Sequence, residues 1–231
     1  MISKGKDVSS VFPQVVKNII CNNVEVKKLV YMYLTHYAEV KQDVALLSVN
    51  SFQMELKNPN QIVRAQALRS LTSIRLPLIA QILILSVKAA VDDISPYVRK
   101  TAAHSIIKVF ELEPSHASVL IKFINSLLND PHKMVVNSVI PTFYHVCPHR
   151  YDLLHPQYRK LVNYLPDLSE FTQTYLLTIL TRYARTFFLD PNVCFPSFIS
   201  IFHSDHFYFI IFTFIALFLE LGLIFQPILG N

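Results

Sequence analysis

The sequence predicts an all-α solenoid built by stacking two-helix repeats, and three observations support it. The first is a repeated register. Val26, Val63, Val98 and Val135 head four similar windows spaced 35 to 37 residues apart. Four residues on stand Val30, Ala67, Ala102 and Val139; eight on, Leu34, Leu71, Ile106 and Phe143; eleven on, Tyr37, Ile74, Val109 and Val146. Offsets of 0, 4, 8 and 11 trace one face of a 3.6-residue helix. Thr172, Leu176, Leu180 and Tyr183 make a weaker fifth copy. A fixed period in this range marks a helical repeat protein, because one helix pair cannot bury its apolar stripe alone and stacking neighbours can.

The second observation is glycine. Only Gly5, Gly222 and Gly230 occur, so residues 6–221 have none. Tight hairpins, dinucleotide-binding fingerprints and phosphate-cradling loops lean on glycine for positive φ and close backbone approach. Rossmann, P-loop and most β architectures are therefore disfavoured. The third is proline, whose thirteen copies punctuate the chain instead.

Taken in order, helices are expected near 8–20, 24–38 and 41–56. The turn Asn58-Pro59-Asn60 closes the third and opens a fourth at 60–74, followed by 77–91. The break Asp92-Asp93-Ile94-Ser95-Pro96 opens the helix at 96–111, with Ser95 suited to the N-cap and Pro96 to the first helical position. Glu113-Pro114-Ser115 precedes a helix at 116–129, and Asn129-Asp130-Pro131 one at 132–146. Cys147-Pro148, His155-Pro156 and Pro166-Asp167 delimit the last two, 156–164 and 168–187. Pro141 conflicts with its helix, since an interior proline removes a hydrogen bond and crowds the preceding turn at about 3 kcal/mol. A kink there, or a later helix start, is expected.

About five units fit between residues 7 and 188. Beyond Leu189 the chain changes. All 21 Lys and Arg lie at or before Arg185, against thirteen acids up to residue 189, a net +8 for that body, while the remainder carries three acids and no base. A mildly basic body can meet an anionic surface, although a solvated helix face gives the same count. Residues 190–231 read as a separate hydrophobic tail. Phe207–Leu219 has no charge, and crossing Glu220 extends the apolar run to Phe225. Such a run is consistent with a membrane span, with a tail foreign to the fold, or with a final buried helix, and Glu220 near its centre weighs against a span. The polar start, Met1 to Asp7, is unlike a signal peptide, and three distant cysteines, Cys21, Cys147 and Cys194, form no disulfide framework.

Candidate chemistry is sparse. His145, Cys147, His149 and His155 are the densest set of possible ligands, but their spacing matches no structural zinc pattern, and Pro148 makes the segment a helix end. Cys147 has no evident orienting carboxylate for a nucleophile's role. His104 reads as a core or partly exposed side chain. Carboxylates are scattered as capping groups rather than paired for acid–base work. The recurrent basic position Lys27, Arg64, Arg99 is read as bonding carbonyls or acids of the neighbouring unit rather than as a ligand stripe. Without tryptophan, and without aromatics interleaved among basic residues, nucleic-acid binding is not indicated. No catalytic, cofactor-binding or metal residue is expected.

Turns followed by Val-Arg on the second helix resemble HEAT or armadillo repeats. The blocks Val24–Leu34, Gln42–Phe52 running on to Gln61, and above all Ser95-Pro-Tyr-Val-Arg-Lys-Thr-Ala-Ala-His104, resemble the N-terminal trunk of the beta-adaptins, large subunits of clathrin-associated adaptor complexes. Met1–Asp7, Cys147–Leu161 and Leu180–Thr186 are most similar to the beta subunits of the third such complex. The resemblance covers residues 1–189. It implies a non-enzymatic, cofactor-free solenoid trunk that assembles with a second large, a medium and a small chain. It also implies cargo tails and an Arf-type GTPase as partners, and peripheral recruitment from the cytoplasm to Golgi and endosomal membranes. The implied work is vesicle-mediated sorting toward lysosome-related organelles; a coatomer-like or nuclear transport-receptor scaffold is the alternative. Pro141 and the tail from Asn192 depart from the family pattern. The family's remaining trunk, acidic serine-rich hinge and C-terminal ear have no counterpart in these residues, and the resemblance starts inside the first trunk helices.

Overall fold

The computed structural model describes residues 7–187 apart from 22, 39 and 41. The apolar run at 207–225 lies outside the described residues. The chain divides into two compact units, residues 1–147 and 148–231.

The first unit contains α1 (Phe12–Val16), α2 (Val24–Tyr37), α3 (Gln42–Glu55), α4 (Gln61–Leu71), α5 (Ala80–Val91), α6 (Pro96–Leu112), α7 (Ala117–Leu128) and α8 (Lys133–Val146). These form four pairs, α1 with α2, α3 with α4, α5 with α6 and α7 with α8, and the second helices stack in sequence, α2 on α4, α4 on α6 and α6 on α8. The solenoid expected from the 35-to-37-residue period is therefore present. Among the described residues there is no strand.

Helix starts follow side-chain chemistry. Asn23, Asn60 and Ser95 sit at N-caps in extended conformation and accept from the amides of Glu25, Ile62 and Tyr97. Pro96 occupies the first turn of α6, where its missing amide hydrogen costs nothing. The segment expected as one helix at 8–20 is instead a 3-10 turn (Ser9–Val11), α1 and a second 3-10 turn (Lys17–Ile20). Tertiary contacts hold its start: the Tyr37 hydroxyl accepts from the Val8 amide, the Tyr33 hydroxyl donates to the Val8 carbonyl, and Phe12 packs on the Tyr33 ring at 5.7 Å.

The register buries as the sequence implies in α4, α6 and α8. Val63, Ala67, Leu71 and Ile74, then Val98, Ala102, Ile106 and Val109, then Val135, Val139, Phe143 and Val146, are all buried. Each large aliphatic in that stripe contributes about 1.5–3 kcal/mol by leaving water. The first copy departs at its head. Val30, Leu34 and Tyr37 are buried, but Val26 is 36% exposed and Lys27 turns inward instead.

α8 runs unbroken from Lys133 to Val146 through Pro141, so the later start is excluded. The residue after the proline anchors the helix. Thr142 donates its hydroxyl to the Ser138 carbonyl at 3.1 Å and to the Ala103 carbonyl of α6 at 2.9 Å. A comparable link joins α4 to α6, where the Thr72 hydroxyl donates to Ser105 Oγ at 3.3 Å. Small residues at these crossings allow the close approach that such bonds need.

Two buried side-chain atoms, Gln66 Oε1 and the Tyr31 hydroxyl, lack a hydrogen-bond partner among the described residues. Burial, with Glu55 nearby, pushes the Tyr31 pKa well above the usual phenol range. An unpaired buried hydroxyl costs about 1–3 kcal/mol. Tyr31→Phe is therefore expected to leave the melting temperature unchanged or raise it by a few degrees, measured by circular dichroism. A fall of several degrees would mean the hydroxyl has a partner in solution.

The second unit contains α9 (Tyr158–Tyr164) and α10 (Glu170–Phe187). The fifth copy, Thr172, Leu176, Leu180 and Tyr183, is buried on α10. Tyr183 stacks on Tyr158 at 4.9 Å and meets Tyr151, His155 and Phe187 edge-on or tilted.

Candidate functional site

The recurrent basic position forms a ladder along the first unit. Arg64, near the start of α4, donates Nη1 to the carbonyls of Asn58 and Pro59, both at 2.9 Å, sealing its own turn. Its Nε and Nη2 grip the carboxylate of Asp93, in the next unit's turn, at 2.8 and 2.9 Å. Arg99 repeats this on α6, with the carbonyls of Asp93 and Ile94 at 2.7 and 2.8 Å and the Asp130 carboxylate at 2.6 and 3.3 Å. Each aspartate also accepts a backbone amide two residues on, Ser95 for Asp93 and His132 for Asp130. The planar guanidinium suits this double task, since its fork meets a carboxylate side-on while a third donor points to the turn.

Partial burial works against the Asp93 charge. The Arg64 and Ser95 hydrogen bonds and the positive charges of Arg64 and Arg99 outweigh it and hold the carboxyl below its ordinary range. Both oxygens of each aspartate are occupied, so neither is placed to act as a proton acceptor.

At the ends the ladder changes chemistry. Lys27 pairs at 2.6 Å with Glu55, which also accepts from the Asn58 amide group. Glu55 could not be found from the repeat, because the position aligned with Asp93 is Asn58. Val136 replaces the base in α8, so the alternation stops at Asp130. In the second unit Gln173, at the same register position, keeps only the turn-sealing half: its amide donates to the carbonyls of Leu165 and Leu168 at 3.0 and 3.1 Å. The basic stripe thus joins units, as expected of a recurrent base in a helical repeat, through acids of the neighbouring unit, while the carbonyls it binds belong to its own turn.

The other candidates are dispersed. His145 is exposed at the end of α8, edge-on to Tyr144, and Cys147 is buried. His149 is exposed. His155 hydrogen-bonds through Nδ1 with the Tyr183 hydroxyl inside the aromatic cluster of the second unit. Among the described residues, no group of three or more His, Cys, Asp or Glu converges as a metal site would require.

The second helices also present a basic strip that the periodicity alone did not reveal, exposed at Arg69, Arg75 and His104 and half-buried at Lys100 and Lys108. Arg69 and Arg75 come from α4 and its C-terminal turn, and Lys100, His104 and Lys108 from α6. Lys108 donates Nζ to Ser73 Oγ at 2.6 Å. An open pocket of about 220 Å³ lies beside it, lined by Thr72, Ser73, Ile74, Arg75, Lys108 and Leu112. Elsewhere large apolar side chains remain uncovered, including Leu29 and Met32 on α2 and Leu47 and Met54 on α3. Among the described residues no helix is long and apolar enough to cross a membrane.

Known proteins resemble this chain in sequence and in fold. The model of the adaptin N-terminal region matches residues 1–222, beyond the residue 189 at which the recognisable blocks end. The chain is 54% identical over 192 residues to the AP-3 complex subunit beta-2 of Mus musculus, which covers 83% of this chain and 18% of that protein. It is 53% identical to the human AP-3 complex subunit beta-1 over 191 residues, and 50% identical to the AP-3 complex subunit beta of Dictyostelium discoideum over 192, with 83% of this chain covered in both cases and 18% and 17% of theirs. It therefore spans about a fifth of the length of these relatives. A homology model of the full-length AP-3 complex in an intermediate open conformation superposes with a TM-score of 0.58 at 30% identity, over 81% of this chain and 30% of that one. With a family match over most of its length and the same stacked helical trunk, the chain belongs to the adaptin family, in its N-terminal region.

Proposed function

We propose that the chain is trunk from a beta-type large subunit of a heterotetrameric vesicle-coat adaptor, acting in intracellular protein transport. The observation that carries this is the 50–54% identity to AP-3 beta subunits along a ladder-stacked solenoid. On this reading the protein is a non-catalytic scaffold. Its partners are a second large, a medium and a small chain, with cargo tails and an Arf-type GTPase engaged by the assembled coat. It works from the cytoplasm, peripherally on Golgi and endosomal membranes, sorting cargo toward lysosome-related organelles. The uncovered Leu29, Met32, Leu47 and Met54 support it, because a subunit of a larger assembly leaves apolar side chains for its partners to cover. The net +8 of residues 1–189 supports electrostatic membrane contact, in which each base near an anionic surface contributes about 1 kcal/mol and is screened by salt.

The test is affinity capture of the full chain followed by mass spectrometry. Medium and small adaptor chains are expected; coatomer subunits or importin cargo in their place would overturn the reading. Residues 1–189 are proposed as the trunk, with 190–231 outside it. Truncation after Leu189 is expected to leave helicity per residue and melting of the remainder close to those of the full chain. Loss of cooperative unfolding on truncation would assign the tail to the core.

A further inference from the structure

Charge on the second-helix face is markedly one-sided. α4 and α8 contain no acid and α6 contains one, Glu111, whereas the three helices carry six Lys or Arg. Arg64 and Arg99 are consumed by the ladder. Arg69, Lys100 and Lys108 are not, and Arg75 joins them just past α4, with Glu111 its salt-bridge partner at 3.8 Å between two exposed side chains. Lys100, His104 and Lys108 stand at four-residue intervals, one row of about 12 Å along α6 at 1.5 Å per residue. Arg69 and Ser73 make the facing row, also four residues apart.

The groups are close enough to oppose one another. Partial burial first, then the charges of Arg69 and Arg75, outweigh the opposing charge of Glu111 and hold the Lys108 ammonium below its ordinary pKa. Crowding of the ring, then the charges of Lys100, Arg69 and Lys108, does the same to His104. Lys108 is nevertheless fixed in place. Ser73 Oγ donates to the Arg69 carbonyl at 2.7 Å and accepts from Lys108 Nζ, which also reaches that carbonyl at 3.5 Å. A positioned ammonium, a guanidinium and a hydroxyl thus line one open pocket of about 220 Å³.

We propose that this pocket between the C-terminal end of α4 and α6 is an anion-binding site for a phosphate ester, with Lys108 and Arg75 as its charged ligands, Ser73 holding the Lys108 ammonium in place, and Arg69, Lys100 and His104 supplying the surrounding field. A phosphomonoester carries about −1.5 to −2 charges and three strong acceptor oxygens, which suits several clustered donors better than a singly charged carboxylate does. The pocket holds a compact group rather than an extended chain. The phosphate can belong to a lipid headgroup or to a soluble molecule. The site stands on α4 and α6 alone and does not depend on the adaptor assignment.

The test uses the full chain. Inorganic phosphate and a soluble inositol trisphosphate are titrated calorimetrically at matched ionic strength, and vesicles containing a phosphorylated phosphatidylinositol are compared with phosphatidylserine vesicles of equal total charge. One-to-one binding is expected, weakened at least tenfold in Lys108→Gln and in Arg75→Gln but unchanged in Lys122→Gln, an exposed base on α7. Arg75 is exposed, so its variant tests the site even where Lys108→Gln disturbs folding. Bound anion should also raise the His104 pKa, followed by imidazole proton shifts, because a nearby negative charge favours the protonated ring. Preference for the phosphorylated vesicles, with competition by free headgroup, assigns the phosphate to a lipid; binding of the soluble probes without that preference assigns it to a soluble molecule. No binding of any probe, or equal loss in all three variants, would overturn the site.

Discussion

Val98→Asp should unfold the first unit or lower its unfolding free energy by about 4 kcal/mol or more, whereas Val26→Asp should change it by less than about 0.5 kcal/mol. The two valines hold the same position in the first and third copies of the repeat, so the contrast tests the structure rather than the pattern. Val98 is 1% exposed on α6, which packs against α4, α5, α7 and α8. A carboxylate there loses its hydration and gains no cation, because the nearest base in sequence, Arg99, is committed to Asp130 and to the turn carbonyls. Val26 is 36% exposed and can keep water around a new charge. Urea melts of the two variants and the parent chain decide it. Similar losses at both positions would mean that α2 is enclosed as fully as α6. Val98→Ala, which removes only methyl groups, separates the charge penalty from the packing loss, at about 2 kcal/mol.

That contrast also marks how far the sequence could be read. Burial at offsets 0, 4, 8 and 11 was legible in α4, α6 and α8, where all four positions of the register are buried. At α2 the surroundings differ, and three tyrosines, Tyr31, Tyr33 and Tyr37, fill the space by packing on Phe52, Phe12 and one another. A periodic pattern carries no information about what encloses it. Ser95 and Pro96 were legible because a cap is a local matter, decided within four residues. The 3-10 turn at Ser9–Val11, where a helix from 8 to 20 was expected, was not, because long-range contacts from Tyr33 and Tyr37 to Val8 decide it. Of the ladder, the basic half was visible as a repeated Lys or Arg and the acidic half was not, since Asp93 reads as one of many turn aspartates until Arg64, 29 residues away, is brought to it. The pocket at Ser73 and Lys108 was hidden for the same reason: its two walls lie 35 residues apart.

Asp93→Ala should lower stability by about 2–3 kcal/mol at neutral pH, and the deficit should shrink in acid. Asp93 ties three segments together: its carboxylate holds Arg64 and the Ser95 amide, and its carbonyl holds Arg99. Removing the side chain leaves the Arg64 guanidinium partly buried with only turn carbonyls to answer it. Breaking a fully buried pair costs about 3–5 kcal/mol. These side chains are 16% and 14% exposed, so water recovers part of the loss. The pH dependence follows from the sign of the shift. Asp93 has its carboxyl below the ordinary 3.8, so the folded state favours the ionised form. Its contribution is complete above the unfolded value and is lost as pH falls through the folded one. Melting curves of the parent chain and of Asp93→Ala should therefore lie well apart at pH 7 and converge as the pH is taken below about 3.8. A gap that stays constant into acid would show that Asp93 acts through its turn geometry and not through its charge. Replacing both partners with apolar residues, Arg64→Met with Asp93→Leu, supplies the remaining control. It should cost less than the sum of the two single changes, because no charge is then left without its counter-ion.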